Sequence, residues 1–296
     1  MILKTKLFGH VYEFKSVREV MAKANEEKSG DKLAGIAAET AEERVAAKVV
    51  LSHLTLNDLR NSPAVPYEED EVTRIIQDAV NETIFNEFKN MTVAEFREWL
   101  LSESTTTEMI RHASRGLTSE IVAGVCKLMS NLDLIYAAKK MRVSAHCNTT
   151  IGLPGTFSSR LQPNHTTDDP KGIIASVMEG LSLGCGDAVI GINPVDDSVE
   201  SVARLLKMLN EFKNKWEVPT QCSVLAHITT QVEAAEKFGA PLDMVFQSIA
   251  GSQKGNEAFG VTVQMIQDGR DMVLSKGTST GPNVNYFETG QGSGLS

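Results

Sequence analysis

The sequence lacks the features that mark several common classes of protein. Its four cysteines are each 21 or more residues apart, so none forms the close pairs of a zinc or iron–sulfur site, and no metal ligands are predicted. Lys and Arg number 29 against 38 Asp and Glu, which disfavours nucleic acid as a partner, because phosphate binding relies on clustered positive charge. No apolar run is long enough to span a bilayer and no secretory signal is visible, so we expect a cytosolic protein with no membrane contact.

What the sequence does contain is typical of an ordinary globular protein. Its 296 residues are 42% hydrophobic and 23% charged, enough to bury a large core. A short β-hairpin is predicted near Gly9, followed by helices, the first opened by a Ser16–Glu19 capping box. We predict a mainly helical N-terminal region over residues 1–92 and a second domain over residues 93–296.

After Asn148 the sequence alternates between apolar strands and amphipathic helices. Five strands separated by four helices are predicted. The strands are NTTIGLPGTFSSRLQ, DAVIGINP, TQCSVLAHI, MVFQSIAG and NVNYFETGQG. Strands linked by helices pair in parallel, and continuous apolar strands fit burial on both faces of the sheet.

Two α/β architectures fit this alternation, an open doubly wound sheet and a (β/α)8 barrel of the TIM type. The nucleotide-binding fingerprint of the open sheet is missing, because GCGDAV precedes a strand and has Val189 where a third small residue belongs. We therefore predict the barrel, preceded by the helical region. Only five of the eight strands are visible, so the barrel is expected to be incomplete in this chain, with its C-terminal strands missing.

Polar side chains follow each predicted strand, where parallel barrels place their chemistry. They are Arg160 with Gln162, Asn193 with Pro194, His227, Gln247 with Ser248, and Glu288. Each has a structural alternative, since Asn-Pro is a common turn dipeptide and a lone histidine is more often hydrogen-bonded than catalytic. These strand ends offer no Schiff-base lysine, serine elbow or clustered metal ligands, so they predict a pocket that holds a small polar substrate and leaves the difficult step to a cofactor.

Several long stretches of the sequence resemble one enzyme family. They are LFGHVYEFKSV, LTSEIVAGVCKLMSNLDLIYAAKKM, TTIGLPGTFSSRLQPN, GDAVIGINPV, VLAHITTQ, FQSIAGSQKG and YFETGQGSGLS. Together they are similar to the large, catalytic chain of ethanolamine ammonia-lyase, along essentially the whole sequence. The family chain is longer, so this polypeptide is expected to be truncated at its C-terminus and inactive alone.

The resemblance implies an adenosylcobalamin-dependent lyase that converts ethanolamine to acetaldehyde and ammonia by radical chemistry. Matched motif by motif, it implies substrate contacts from Arg160, Gln162, Asn193 and Glu288, with Glu288 and Arg160 catalytic, and cofactor contacts from Pro194, Gln247 and Ser296. The implied partners are a small chain of the same enzyme and further copies of the large chain. The implied location is the cytoplasm or a bacterial microcompartment within it.

Two other functional classes stay open on the sequence alone. A cofactor-independent or metal-dependent TIM-barrel lyase would place a lysine or metal-binding carboxylates at its strand ends. A noncatalytic assembly subunit would need no such pocket. Metal content and the effect of replacing Glu288 distinguish these classes from a cobalamin-dependent lyase.

Overall fold

The computed structural model describes residues 2–289, which fold into two compact units. The first unit comprises the residues up to Arg142 together with Gly251–Gly255. The second comprises Val143–Ala250 and the described residues from Asn256 to Thr289. The division after Arg142 differs from the boundary between residues 92 and 93 that the sequence suggested.

The difference arises from how the helices after Thr92 pack. Val93, Phe96 and Ile121 are buried in the same hydrophobic cluster as Val20 and Leu51 from the start of the chain. Helical periodicity is the same on both sides of residue 92, so the pattern does not reveal which core the later helices join. Burial of their apolar side chains assigns them to the first unit.

The first unit is an antiparallel hairpin followed by helices. Its strands are β1 (Lys4–Leu7) and β2 (His10–Glu13), joined by a turn in which Gly9 has a φ of 82°. The helices are α1 (Val17–Lys23), α2 (Ser29–Leu33), α3 (Ala41–His53), α4 (Leu56–Arg60), α5 (Glu71–Asp78), α6 (Glu82–Phe88), α7 (Val93–Leu101), α8 (Thr107–Ser114), α9 (Ser119–Lys127) and α10 (Asn131–Lys140), with a 3-10 helix at Tyr67–Glu69.

Polar residues begin most of these helices, because a side-chain oxygen accepts a backbone N–H that has no partner inside the helix. Complete capping boxes open α4, α7 and α10 at Thr55, Thr92 and Ser130. At α1 the predicted box is half formed. Ser16 accepts the Glu19 N–H at 3.2 Å, but the Glu19 carboxylate accepts the N–H of Lys15 at 2.6 Å.

The second unit alternates strands and helices, which confirms the α/β class predicted from the sequence. A small antiparallel pair, β3 (Ala145–His146) and β4 (Thr150–Ile151), comes first. The remaining elements are β5 (Arg160–Leu161), α11 (Pro170–Ser182), β6 (Val189–Ile192), α12 (Val199–Lys215), β7 (Cys222–Val224), α13 (Ile228–Phe238), β8 (Val245–Ser248), α14 (Gln253–Ala258), α15 (Val263–Lys276) and β9 (Asn285–Glu288). The first three residues of α14 belong to the first unit. The fourth predicted helix is thus two helices, because Gly260 adopts a left-handed φ of 71° and Thr262 caps a new start.

The five strands β5 to β9 pair in parallel, but in two groups. Strands β5, β6 and β7 form one sheet, and β8 and β9 form another. Among residues 2–289 no ladder joins β7 to β8. Instead, the buried side chain of Gln231 on α13 links β8 to the segment that follows β7. Its Nε2 donates to the carbonyls of Ala226 at 2.7 Å and Phe246 at 2.8 Å, and its Oε1 accepts the Phe246 N–H at 3.0 Å.

Strands β6 and β7 bury both faces, as their apolar sequences predicted. On the face toward the helices, Ile190, Ile192 and Val224 lie in a large hydrophobic cluster. On the opposite face, Val189 and Met244 form a smaller cluster with other side chains. We call this second face the inner face. Its cluster also contains Cys147, and Tyr286 packs against it.

A buried ion pair lies near the N-terminal ends of these strands. Lys213 of α12 donates to both carboxylate oxygens of Asp243, at 2.7 and 2.6 Å, and both side chains are almost fully buried. Asp243 also accepts the Cys222 N–H at 2.8 Å and the Thr278 hydroxyl at 2.7 Å. One carboxylate therefore ties α12, β7 and the segment before β9 together.

We expect the four thiols to divide into two classes of reactivity. Burial, together with the charge of the nearby Asp243 carboxylate, raises the pKa of Cys147 to about 11 and that of Cys222 to about 12. Because the thiolate is the reactive form, these two buried thiols should react slowly. Cys126 is exposed and Cys185 half-buried, so a reagent can reach both. A disulfide reagent at pH 8 should therefore label Cys126 and Cys185 in the folded protein, and Cys147 and Cys222 only after denaturant is added. Equal labelling rates for Cys126 and Cys222 would contradict this expectation.

None of the helices in residues 2–289 combines the length and the apolar composition that crossing a membrane requires.

Candidate functional site

Arg160 and Glu288, both nominated from the sequence, meet in the structure. Arg160 begins β5 and Glu288 ends β9, and the two are 128 residues apart in the chain. The Arg160 Nη1 donates to Glu288 Oε1. The side chains are 27% and 40% exposed, so the pair is sheltered but open to a small molecule.

The pair joins the first and last of the five parallel strands. Between β5 and β9 the chain places β6, β7 and β8. Side chains of such distant strands make contact only if the strands curve around a common inner face, because neighbouring strands are themselves nearly 5 Å apart. The Arg160–Glu288 contact therefore indicates that the strands curve around a common inner face.

Tyr286 completes this cluster, and sequence reasoning missed it. Its hydroxyl donates to Glu288 Oε1 at 3.0 Å, and the guanidinium carbon of Arg160 lies 5.4 Å from its ring centre. Burial raises the pKa of Tyr286 to about 12; the Glu288 carboxylate also raises it and Arg160 opposes this. Side chains alternate between the two faces of a strand, so Tyr286 and Glu288 lie on one face of β9. This spacing could have identified Tyr286 from the sequence.

The ends of β5 and β6 are linked through Asn164. Its N–H donates to the Gln162 carbonyl at 3.0 Å, and its side-chain Oδ1 accepts the Asn193 N–H at 2.9 Å. The side chains of Gln162 and Asn193 are exposed, and Pro194 is half-buried. Two of the nominated amides therefore lie on adjacent strand ends with their side chains open to solvent.

The loop that follows Pro194 is held by Asp168, which sequence reasoning also missed. Asp168 is buried, and its Oδ2 accepts the N–H groups of Val195 at 2.8 Å and Asp196 at 2.9 Å. Its backbone has a φ of 50°, in the left-handed region where residues other than glycine are uncommon. This conformation places a buried carboxylate beneath the turn that contains Asn193 and Pro194.

Two other nominated residues make structural hydrogen bonds. Gln247 is buried; its Oε1 accepts the Ile228 N–H at 2.9 Å and its Nε2 donates to the Ser248 carbonyl at 3.1 Å. His227 caps α13, with Nδ1 accepting the Thr229 N–H at 3.3 Å. A contact between Gln247 and a cofactor stays a prediction, and Ser296 lies outside the described residues.

The surroundings of Arg160 leave some of its hydrogen-bonding capacity unused. Its Nε is buried and has no partner among residues 2–289, and the same holds for the Ser223 hydroxyl on β7. Beside it, a Cβ atom added to Gly191 would lie 3.0 Å from Leu225 Cδ1 and 3.6 Å from Arg160 Nε. A side chain at position 191 would therefore press on Leu225 and crowd the arginine.

This arrangement can hold a small molecule that carries both a cation and a neutral polar group. A half-exposed carboxylate accepts charge-assisted hydrogen bonds from an ammonium, and a guanidinium donates to oxygen. Within the described part of the chain, no three His, Cys, Asp or Glu side chains come close enough together to hold a metal ion. The polar groups nearby are mainly amides and hydroxyls.

Comparison with known proteins identifies the family of the chain. The family model described as "Ethanolamine ammonia lyase large subunit (EutB)" matches residues 12–296. The chain belongs to this family. The resemblance stated from the sequence motifs is thereby confirmed.

Relatives from this family match the chain from end to end. It is 55% identical over all 296 residues to proteins named ethanolamine ammonia-lyase large subunit from Escherichia coli K12, Escherichia coli O157:H7 and Salmonella typhimurium. The chain spans 65% of the length of each of these relatives. Among the residues nominated for such an enzyme, the structure brings Arg160 and Glu288 into direct contact and places Gln162 and Asn193 on neighbouring strand ends.

Proposed function

We propose that this chain is the catalytic large chain of an ethanolamine ammonia-lyase, which uses adenosylcobalamin to deaminate ethanolamine to acetaldehyde and ammonia. The observation that carries the proposal is the contact of Arg160 with Glu288 across the inner face, in a chain that belongs to this family. The relatives are named for this lyase, and the pocket offers the charges that its substrate needs.

The proposal includes the architecture, in which β5 to β9 are five strands of an eight-stranded barrel of the TIM type. Two features support it. The strands are parallel and linked by helices, and side chains from the first and the fifth meet across the inner face. Catalytic groups at C-terminal strand ends are the rule for that fold, and Glu288 is the last residue of β9.

Ethanolamine carries an ammonium at one end and a hydroxyl at the other, and the cluster offers a partner for each. We assign the ammonium to Glu288, since a hydrogen bond to a charged group contributes about 1.5 to 3 kcal/mol. Arg160 donates to the hydroxyl oxygen. Gln162 and Asn193, exposed on adjacent strand ends, supply neutral amides that hold the substrate in one orientation.

The polar groups around this pocket suit a cobalamin, whose corrin ring carries neutral amide side chains. Asn193, Gln162 and the Asn164 side chain are neutral hydrogen-bonding groups at the strand ends. When bound, adenosylcobalamin supplies the radical that removes hydrogen from the substrate. Pro194, Gln247 and Ser296 are the residues proposed to contact it.

The side chains of this chain bind the substrate, orient it and move protons. Glu288 accepts hydrogen bonds in a partly buried setting, and it can hold a proton transferred as the amine leaves. Val189 and Met244 are buried and the ring of Tyr286 packs against them, so this side of the pocket is apolar. Arg160 balances the charge of the carboxylate throughout.

The proposed partners are a small chain and further copies of the large chain, in the cytoplasm or a bacterial microcompartment. The name "large subunit" of the relatives supports a smaller partner. Helix α10 exposes Leu132 and Ile135 by 76% and 66%. These residues are three apart and so lie on one face of the helix. Exposed apolar neighbours of this kind suit a protein contact.

The test measures acetaldehyde released from ethanolamine, with and without adenosylcobalamin. The samples are the protein at the full length of its relatives together with a small chain, and the 296-residue chain alone. We expect acetaldehyde only from the first sample and only with the cofactor. Folded complexes that release none, or that turn over equally well without the cofactor or depend on an added divalent metal, would overturn the proposal.

A further inference from the structure

The third member of the cluster is Tyr286, whose ring packs against Val189 and Met244 but whose hydroxyl has no role in the function proposed so far. We infer that Tyr286 is a positioning residue: its hydroxyl fixes the Glu288 carboxylate and its ring flanks Arg160, so that the ion pair stays open to a substrate ammonium. This inference rests on the proposed function. It makes Tyr286 a residue that determines how tightly the pocket holds the cationic end of the substrate.

The geometry of β9 makes this contact direct. Tyr286 and Glu288 are two residues apart in a strand, so their side chains lie on the same face. The hydroxyl of Tyr286 donates to Glu288 Oε1 at 3.0 Å. Arg160 donates to that same oxygen. Both bonds therefore converge on Oε1, and Oε2 is the oxygen that neither of them occupies.

The ring of Tyr286 is itself held in place. It packs edge-on against Phe246, with ring centres 5.3 Å apart, and against the buried cluster of Val189 and Met244. Strand pairing sets Phe246 directly beside Tyr286. The hydroxyl thus projects from a fixed ring, whereas the Glu288 side chain is 40% exposed and would sample several rotamers without it.

The hydroxyl acts as a donor throughout, because burial raises the pKa of Tyr286 to about 12. At neutral pH it is protonated and cannot serve as a base. Its contribution to the pocket is therefore to hold Oε1 in place, leaving proton transfer to the carboxylate.

Without the Tyr286 hydroxyl, Arg160 would compete with the substrate ammonium for the oxygens of the Glu288 carboxylate. Arg160 and Glu288 alone can turn toward each other until both carboxylate oxygens face the guanidinium, in the bidentate geometry such pairs favour. The Tyr286 hydroxyl occupies one side of Oε1, and the ring lies 5.4 Å from the guanidinium carbon. This keeps the contact to one oxygen, so that an ammonium can bind Oε2.

The test is Tyr286→Phe in the full-length enzyme with its small chain and cofactor. The change removes only the hydroxyl and keeps the ring against Phe246. We expect the KM for ethanolamine to rise about tenfold while kcat falls by less than about threefold, since a uniform loss of binding raises KM alone. The matched control is Tyr67→Phe in the first unit, which removes a hydroxyl donated to Asp78 at 3.1 Å and should leave both constants unchanged.

A double-mutant cycle separates positioning from a purely structural role. Ethanolamine binding is measured by calorimetry for wild type, Tyr286→Phe, Glu288→Gln and the double variant. If Tyr286 acts through Glu288, Tyr286→Phe weakens binding in the wild type and has no further effect once Glu288 is Gln. Additive losses would overturn the inference.

The outcomes also separate this inference from the function on which it rests. Unchanged KM and kcat in a folded Tyr286→Phe enzyme would overturn the role of Tyr286 and leave the lyase function standing. A wild-type enzyme that neither binds ethanolamine nor releases acetaldehyde would overturn both.

Discussion

Glu288→Gln should lower the kcat of the full-length enzyme by at least about 100-fold, because carboxylates that bind charge and move protons in a pocket contribute about that much or more. The amide has no charge for a substrate ammonium and cannot take a proton from it. It also leaves Arg160 without its ionic partner. The fold should persist, since the Glu288 side chain is 40% exposed.

Steady-state acetaldehyde release checks this expectation, with circular dichroism to confirm folding. The control is Glu233→Gln, which removes a carboxylate that pairs with Lys237 on the exposed side of α13. The control should turn over at the wild-type rate. A Glu288→Gln enzyme within about threefold of wild type would show that the carboxylate has no part in the reaction.

Asp243→Asn should lower the free energy of unfolding by about 3 to 5 kcal/mol, the range found when one partner of a buried ion pair is removed. The variant keeps the size of the side chain but leaves Lys213 charged, buried and without its counter-ion. It also weakens the acceptors for the Cys222 N–H and the Thr278 hydroxyl. The lower free energy of unfolding should therefore be confined to the second unit.

Urea unfolding measures the effect, and the two tryptophans allow it to be assigned. Trp216 is the C-cap of α12, three residues after Lys213, and Trp99 lies in the first unit. In a Trp99→Phe background, the fluorescence of Trp216 reports the second unit alone. Asp271→Asn is the control, because Asp271 pairs with Arg270 at an exposed position. A loss below about 1 kcal/mol for Asp243→Asn would mean that Lys213 finds water or another partner.

The strand-and-helix order of the second unit was predictable because it is local. Each apolar run between turn residues gives a strand, and each stretch with helical period gives a helix. The two-group pairing of the sheet was not predictable, since it depends on the side chain of Gln231 in a helix. The boundary after Arg142 was not predictable either, because it depends on which core a helix joins.

The candidate site was predictable in part, for a similar reason. Arg160 and Glu288 were nominated from their positions at strand ends, but their contact joins residues 128 apart in the chain. Tyr286 escaped notice because an aromatic residue in a strand is usually core. Here the ring is in the core and the hydroxyl is in the site. Asp168 lies in a loop, and only its buried hydrogen bonds reveal its importance.

The bridge formed by Gln231 has a consequence for how the second unit assembles. Strand β8 presents the Phe246 N–H and carbonyl toward β7, and a side chain of α13 satisfies both. These backbone groups have this partner only once α13 has packed against the sheet. Helix docking and sheet extension at this position are therefore a single step, and replacing Gln231 by leucine would uncouple them. We expect the Phe246 amide proton to exchange slowly with solvent in the native protein and rapidly in the Gln231→Leu variant.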